Sequence, residues 1–150
     1  MLPAYLSIPA AELGRGQPVK VRVKGDMTSL AEDMAEAMLD EIVRAAKAGR
    51  GATLIVPVGP VDQFPILAHS LNEKKISCRQ TVVINMDEYL SDDGGWVPET
   101  HPLSFRAYMN RQFYHLLDPS LAPPPENRVF PDPRQPEAVP RLIEVFAGAR

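Results

Sequence analysis

The chain has 150 residues, of which 45% are hydrophobic, and a formal net charge of −3. This length supports one domain with a real core. No Lys/Arg stripe stands out, which argues against nucleic acid as a partner. No apolar segment approaches the roughly 20 residues that cross a bilayer, so we expect no membrane partner. The start has no secretory signature, and Cys78 is the single cysteine. We therefore expect a cytoplasmic protein.

The first predicted elements follow an N-terminal extension, residues 1–17. Residues 18–24 alternate apolar and basic side chains, which predicts a strand with one wet face. Ser29 and Glu32 have the spacing of a capping box, and Thr28 competes as the cap. A helix should follow and end at Lys47 and Gly49. Its predicted buried stripe consists of Leu30, Met34, Met38, Ile42 and Ala45.

Two apolar runs, 53–58 and 81–86, predict buried strands, and residues 66–75 between them predict a helix with Pro65 near its first turn. Alternating strands and helices predict an α/β fold with a doubly wound parallel sheet. Right-handed crossovers would bring the loops after Val58 and Met86 to the same edge of the sheet.

The second half continues with the loop Ser91–Thr100, which contains two adjacent glycines and is a candidate lid. Residues 101–117 predict a helix with Pro102 at its first position. Residues 118–136 form a proline-rich, extended connection, and residues 137–147 predict a short closing helix. The predicted buried stripe of the 101–117 helix consists of Phe105, Met109, Phe113 and Leu116.

The candidate chemistry lies where the 81–86 strand ends. Ligands of open α/β sheets bind beyond the carboxyl ends of strands, and Asp87 and Glu88 follow this strand directly. A carboxylate held there can act as a general base, although either residue could equally cap a helix or solvate a loop. The Gly59 turn could direct backbone N–H groups at a phosphate, or it could be an ordinary tight turn.

The remaining candidates carry weaker signals. His69 and His115 fall inside predicted helices, where packing or surface roles are usual, and His101 could cap a helix or contact a ligand. Trp96 could close over the core or stack on a sugar. Cys78 precedes its strand, away from the expected crevice, which makes it a weak candidate nucleophile. No metal-ligand spacing is present, so we predict no metal and no cofactor.

Two blocks of sequence resemble the glucosamine-6-phosphate deaminase/isomerase family: residues 85–90, NMDEYL, and residues 101–113, HPLSFRAYMNRQF. The resemblance covers about residues 31–148 and implies a Rossmann-like parallel sheet. It also implies the conversion of glucosamine 6-phosphate and water to fructose 6-phosphate and ammonia.

The resemblance assigns roles to individual residues. It implies that Asp87 is the base that moves a proton between C2 and C1. Glu88 and Tyr89 would support Asp87, and Ser104 would have a structural or lid role. Gly59, Glu88, Tyr89 and His101 are the predicted substrate-binding residues, for a phosphorylated sugar or a related small molecule.

Two departures from the family pattern shape the expectations. The family phosphate loop reads P-T-G-G-T-P, whereas residues 57–62 here read PVGPVD, and Asp62 would repel a phosphate. The family's later Asp-Gly-His segment is missing before Arg150. We therefore expect residues 1–150 to be the N-terminal portion of one truncated α/β domain. That portion should be nearly inactive alone, and a homo-oligomer or a complementing C-terminal segment should complete it.

Two other functions remain open on this sequence. The chain could instead be similar to 6-phosphogluconolactonases, which are hydrolases that share the fold. Tyr89 stands where those enzymes usually have an arginine, which favours the deaminase. The altered phosphate loop could instead mark a non-catalytic, sugar-phosphate-binding regulatory protein.

Overall fold

The computed structural model describes residues 3–59 and 62–148. Pro60 and Val61, which belong to the predicted phosphate turn, lie outside the described residues. Two short 3-10 helices, Ala4–Ser7 and Ala10–Glu12, occupy the predicted N-terminal extension. No described helix is both long enough and apolar enough to pass through a membrane.

Helix α1 spans Met27–Lys47 and begins one turn earlier than the capping-box prediction. Asp26 is the N-cap, and its carboxylate accepts a hydrogen bond from the backbone N–H of Ser29 over 2.7 Å. The prediction of Ser29 or Thr28 as the cap was therefore wrong, because an extended Asp fills that role better here. The helix end at Lys47 is confirmed, and Gly49 adopts a positive φ of 71°.

The buried face of α1 differs from the predicted stripe at its N-terminal end. Ile42 and Ala45 are buried as predicted, whereas Leu30, Met34 and Met38 are only half-buried. The fully buried set is Ala31, Ala35, Leu39, Ile42 and Ala45.

A three-stranded parallel sheet lies at the centre, in the order β1-β2-β3. Its strands are β1 (Thr53–Val56), β2 (Val82–Asn85) and β3 (Arg128–Val129). In the register, Val56 pairs with Asn85, and Val83 pairs with Arg128. The predicted α/β fold with a parallel sheet is confirmed. The strand β3 was not predicted, since it is two residues long and lies inside the proline-rich connection.

The predicted strand over residues 18–24 is wrong, because no strand is formed there. Val19, Val21 and Val23 are exposed. Arg22 and Lys24 instead form ion pairs with Asp33 of α1, at 3.0 and 2.8 Å. An alternating pattern makes a strand only where a partner strand is available, and this segment lies beside a helix.

Helix α2 spans Gln63–Glu73 and begins slightly earlier than predicted. Phe64, Leu67 and Leu71 from this helix reach the centre of the core. The core also contains Val56 and Val83 from the sheet, together with the inward faces of α1 and of the helical segment after residue 104.

The predicted 101–117 helix is shorter and less regular than expected. It comprises α3 (Phe105–Met109) and a continuous π-helical turn (Asn110–Tyr114). Pro102 precedes the helix rather than opening it, because Ser104 is the N-cap and accepts from the Ala107 N–H over 3.2 Å. Leu116 is exposed and Leu117 is buried, so the last predicted core position was wrong by one residue. The predicted closing helix is confirmed as α4 (Ala138–Gly148).

Candidate functional site

The carboxyl ends of β1 and β2 define the candidate site. The backbone N–H of Met86 donates to the Val56 carbonyl over 3.0 Å, which continues the pairing to the last residue of β1. Adjacent strands lie about 4.8 Å apart. Gly59 and Asp87 therefore leave the sheet at the same edge, each within three residues of the paired positions, as the sequence predicted.

Asp87 is exposed at this edge. Among the described residues, none donates a hydrogen bond to its carboxylate and none forms an ion pair with it. Asp87 lines a cavity of about 330 Å³ between the end of β2 and the proline-rich segment after β3. Gly59 is not one of the described residues that line this cavity. The lining residues include Met86, Leu90, Pro131, Asp132, Gln135 and Val139.

Glu88, the second acid of the pair, forms hydrogen bonds within the protein. Its side chain is 0% exposed. Oε1 accepts from the backbone N–H groups of Tyr89 and Phe105, both over 2.9 Å. Oε2 accepts from the backbone N–H of Arg106 over 2.9 Å and from its Nε over 3.1 Å. The Ser104 hydroxyl adds a longer contact at 3.3 Å.

The pKa of Glu88 follows from these contacts. Burial is the largest influence and by itself raises the pKa. Hydrogen bonds from the N–H groups of Arg106, Phe105 and Tyr89 oppose it, and the pKa lies below its ordinary value of 4.5. Glu88 is therefore a charged anchor that fixes the start of α3 relative to the end of β2.

The other predicted binding residues lie around this anchor. The ring of Tyr89 is half-exposed and packs edge-on against Phe105, with 5.1 Å between centroids. The Nδ1 atom of His101 accepts from the Leu103 N–H over 3.2 Å, so this imidazole stabilises the turn that leads into α3. Asp87, Glu88 and Tyr89 are therefore close because they are consecutive in the chain. His101 is linked to them through the start of α3, which Glu88 contacts.

Two residues near the cavity were not singled out as site residues from the sequence. Arg106 is 19% exposed and pairs with Glu88. Asp132 lines the cavity, and both of its carboxylate oxygens accept from the Arg134 guanidinium at 3.0 Å. The sequence gives no local signal for either residue. Arg106 contacts Glu88 only because the fold brings the two together, and Asp132 contacts Arg134 in a turn of the proline-rich segment.

The predicted phosphate turn shows an unusual pair of residues at the start of α2. Asp62 occupies the N-cap position but makes no side-chain cap hydrogen bond. Gln63 is fully buried, and its Nε2 donates a long hydrogen bond of 3.4 Å to the Val58 carbonyl. Burial, and then the negative charge of Asp62, raise the pKa of Tyr108. The turn therefore carries a negative charge where the family pattern has none.

Within residues 3–59 and 62–148, no three His, Cys, Asp or Glu side chains are grouped so that they could hold a metal ion.

Comparison with known proteins agrees with the fold and with the family resemblance. A glucosamine-6-phosphate deaminase of Shewanella halifaxensis (strain HAW-EB4) is 28% identical to this chain over 100 residues. The solved structure of a monomeric glucosamine-6-phosphate deaminase, described as a missing link of the NagB superfamily, matches with a TM-score of 0.64 at 21% sequence identity. At that identity the superposition establishes the fold alone. No protein-family model matches the chain.

The resemblance to the glucosamine-6-phosphate deaminase family is confirmed. It extends over only part of these relatives. The sequence match takes in 67% of this chain and 35% of the Shewanella protein. The structural match takes in 87% of this chain and 51% of the solved one. The shared region includes the parallel sheet, whose carboxyl edge carries Asp87.

Proposed function

We propose that this chain supplies the general-base part of a glucosamine-6-phosphate deaminase/isomerase-like enzyme, with Asp87 as the base. The chemistry is a proton transfer in an open-chain amino sugar phosphate. Asp87 removes the hydrogen from C2, the electron pair of that bond forms a double bond between C1 and C2, and the aldehyde oxygen at C1 takes the carbonyl electron pair and a proton from water. Asp87 then returns a proton to C1. Water hydrolyses the resulting C2 imine to a ketone and releases ammonia.

One observation supports Asp87 over the other acids of the cavity. Glu88 and Asp132 also line it, but their carboxylate oxygens accept hydrogen bonds from protein N–H groups or from an arginine. The Asp87 carboxylate accepts none from the described residues, and its side chain is open to the cavity. A base must have a free lone pair within reach of the proton that it removes. Among these three acids, Asp87 alone has a carboxylate that is engaged by no hydrogen-bond donor of the described residues.

The environment of Asp87 also suits the proposed substrate. Most of the cavity wall is apolar, formed by Met86, Leu90 and three prolines, and none of the described residues that line it has a cationic side chain. Such a wall fits carbon atoms and uncharged hydroxyl groups better than a phosphate. The phosphate would then bind elsewhere, and Gly59, Tyr89 and His101 stay predicted contacts of the substrate.

The decisive experiment compares Asp87→Asn with Asp92→Asn in the natural full-length protein. Asp92 is an exposed acid in the following loop and serves as the matched control. Incorporation of solvent deuterium at C1 of fructose 6-phosphate in the presence of ammonium, which is needed to form the C2 imine, is followed by NMR and reports the proton transfer directly. We expect Asp87→Asn to lower the exchange rate by about 100-fold or more, with binding of the sugar retained. Equal exchange rates in Asp87→Asn and the wild type would remove Asp87 from the mechanism.

A non-catalytic sugar-binding or regulatory role is the second candidate, and Asp62 favours it because the turn at the start of α2 departs from the phosphate loop of the catalytic family. A carboxylate at the start of α2 opposes the phosphate binding expected of that turn. Calorimetry on the wild-type protein separates the two functions. Binding of fructose 6-phosphate without any deuterium incorporation would support the regulatory role over the enzymatic one.

A further inference from the structure

The single tryptophan of the chain, Trp96, joins two segments that are far apart in sequence. It lies in the loop between β2 and α3, which is closed by a bridge between Leu90 and Trp96. Its indole Nε1–H donates to the carbonyl of Pro131 over 2.8 Å. Pro131 lies just after β3 and lines the cavity beside Asp87. One side-chain hydrogen bond therefore connects this loop to the far wall of the cavity.

The position of the Trp96 indole is itself fixed by a stacking contact with Arg106. The Arg106 guanidinium lies over the Trp96 ring, with Cζ 4.5 Å from the centroid. Arg106 donates from Nε to the buried Glu88 carboxylate at 3.1 Å and from Nη2 to the Val97 carbonyl. A desolvated stacking contact of this kind is stronger than one in open solvent. Trp96 is thus held through Arg106 to the residue that directly follows Asp87.

The wall that Trp96 contacts needs such an anchor. Three of its residues, Pro131, Pro133 and Pro136, have no backbone N–H and cannot extend the sheet beyond β3. Within the described residues, this wall is otherwise stabilised by its own turn. There, the Gln135 N–H donates to the Asp132 carbonyl over 2.8 Å. Arg134 also approaches the other side of the indole, with Cζ 5.9 Å from the centroid.

We propose that Trp96 and Arg106 form a clamp that positions the 131–136 wall against Asp87 and thereby sets the affinity of the site for its ligand. The inference rests on the proposed function for its ligand, a sugar 6-phosphate. Trp96 and Arg106 are positioning residues, because neither lines the cavity. The wall contacts the ligand in the ground state and in the transition state alike, so the clamp should act on KM rather than on kcat.

Two variants test the clamp in the natural full-length protein. Trp96→Phe keeps an aromatic ring but removes the N–H that Pro131 accepts. Arg106→Lys keeps the charge but removes the planar group that stacks on the indole. Arg111→Lys makes the same exchange at an exposed position on the adjoining π turn and is the matched control.

Hydrogen exchange measured by mass spectrometry reads the position of the wall without any ligand. We expect the hydrogen-bonded amides of Arg134 and Gln135 to exchange about fivefold faster in Trp96→Phe and Arg106→Lys, as for the loss of one hydrogen bond. Arg111→Lys should match the wild type. Unchanged protection in Trp96→Phe would overturn the clamp. Equal acceleration in β2 would also overturn it, because the indole would then support the whole fold.

Ligand measurements separate this inference from the proposed function. The Kd for fructose 6-phosphate, measured by calorimetry, should rise about fivefold in Trp96→Phe. The rate of deuterium incorporation at saturation should not change. Faster amide exchange with an unchanged Kd would show that the wall does not touch the ligand and would overturn the inference. If the wild type binds no sugar phosphate, the proposed function fails, and the exchange data alone decide whether the clamp exists.

Discussion

Replacing Glu88 by glutamine should strongly destabilise the fold, although the change alters one atom. The Glu88 carboxylate is shielded from solvent and accepts from three backbone N–H groups and from the Arg106 guanidinium. A glutamine can keep one oxygen toward Tyr89 and Phe105. Its NH2 group would then face the two N–H donors of Arg106. Breaking one partner of a buried ion pair lowers stability by about 3–5 kcal/mol.

Urea denaturation followed by far-UV circular dichroism measures this loss. A destabilisation of that size should lower the Tm by roughly 6–20 °C for a domain of this length. Glu36→Gln, at an exposed position on α1, is the matched control and should change the free energy of unfolding by less than about 0.5 kcal/mol. A loss below about 1 kcal/mol in Glu88→Gln, the size of one ordinary hydrogen bond, would refute this account of the anchor.

The same variant carries a pH signature with a definite sign. The pKa of Glu88 in the folded protein lies below its ordinary value of 4.5. Its contribution to stability is therefore fully present above that value and is lost as the pH falls through the lower, folded pKa. The difference in unfolding free energy between wild type and Glu88→Gln should be constant near neutral pH and should narrow below about pH 4.5. A difference that grows on acidification would contradict the direction of the pKa shift.

Two further predictions concern the core. Gly51→Ala should lower the free energy of unfolding by about 1–3 kcal/mol, because a Cβ there would lie 1.9 Å from the Gln80 carbonyl oxygen. Gly25→Ala, with no atom within 4 Å of the new carbon, is the control for the same urea titration. Cys78 is buried, and burial raises the pKa of its thiol to about 11. We expect no reaction with Ellman's reagent at about pH 8 until urea unfolds the protein, and rapid labelling of the native protein would show that this burial is wrong.

The elements that sequence reasoning located correctly are those whose signals are local and strong. The strands β1 and β2 are apolar runs bounded by turn residues, and α2 and α4 have clear helical periodicity. The strand β3 carries no such signal, because only its pairing with Val83 and Ile84 of β2 defines it. The failed strand over residues 18–24 shows the converse, since a local alternating pattern has no effect without a partner.

In the candidate site, too, the sequence predicts some features and not others. The position of Asp87 at the carboxyl edge of the sheet follows from the end of one strand, which the sequence reveals. The internal role of Glu88 does not, because all of its hydrogen-bond donors except the adjacent Tyr89 N–H lie 16–18 residues later in the chain. The contact between Trp96 and Pro131 spans 35 residues. Contacts of this kind depend on the folded backbone, and neither composition nor periodicity indicates them.

The π-helical turn at Asn110–Tyr114 has a consequence for anyone who aligns this chain with its relatives. A π turn is equivalent to an α-helix that has gained one residue. Each residue of an α-helix turns the chain by about 100°. An ungapped alignment of this segment with an uninterrupted α-helix would therefore be out of step by that angle after the turn. Placing a single-residue gap within the turn restores the correspondence.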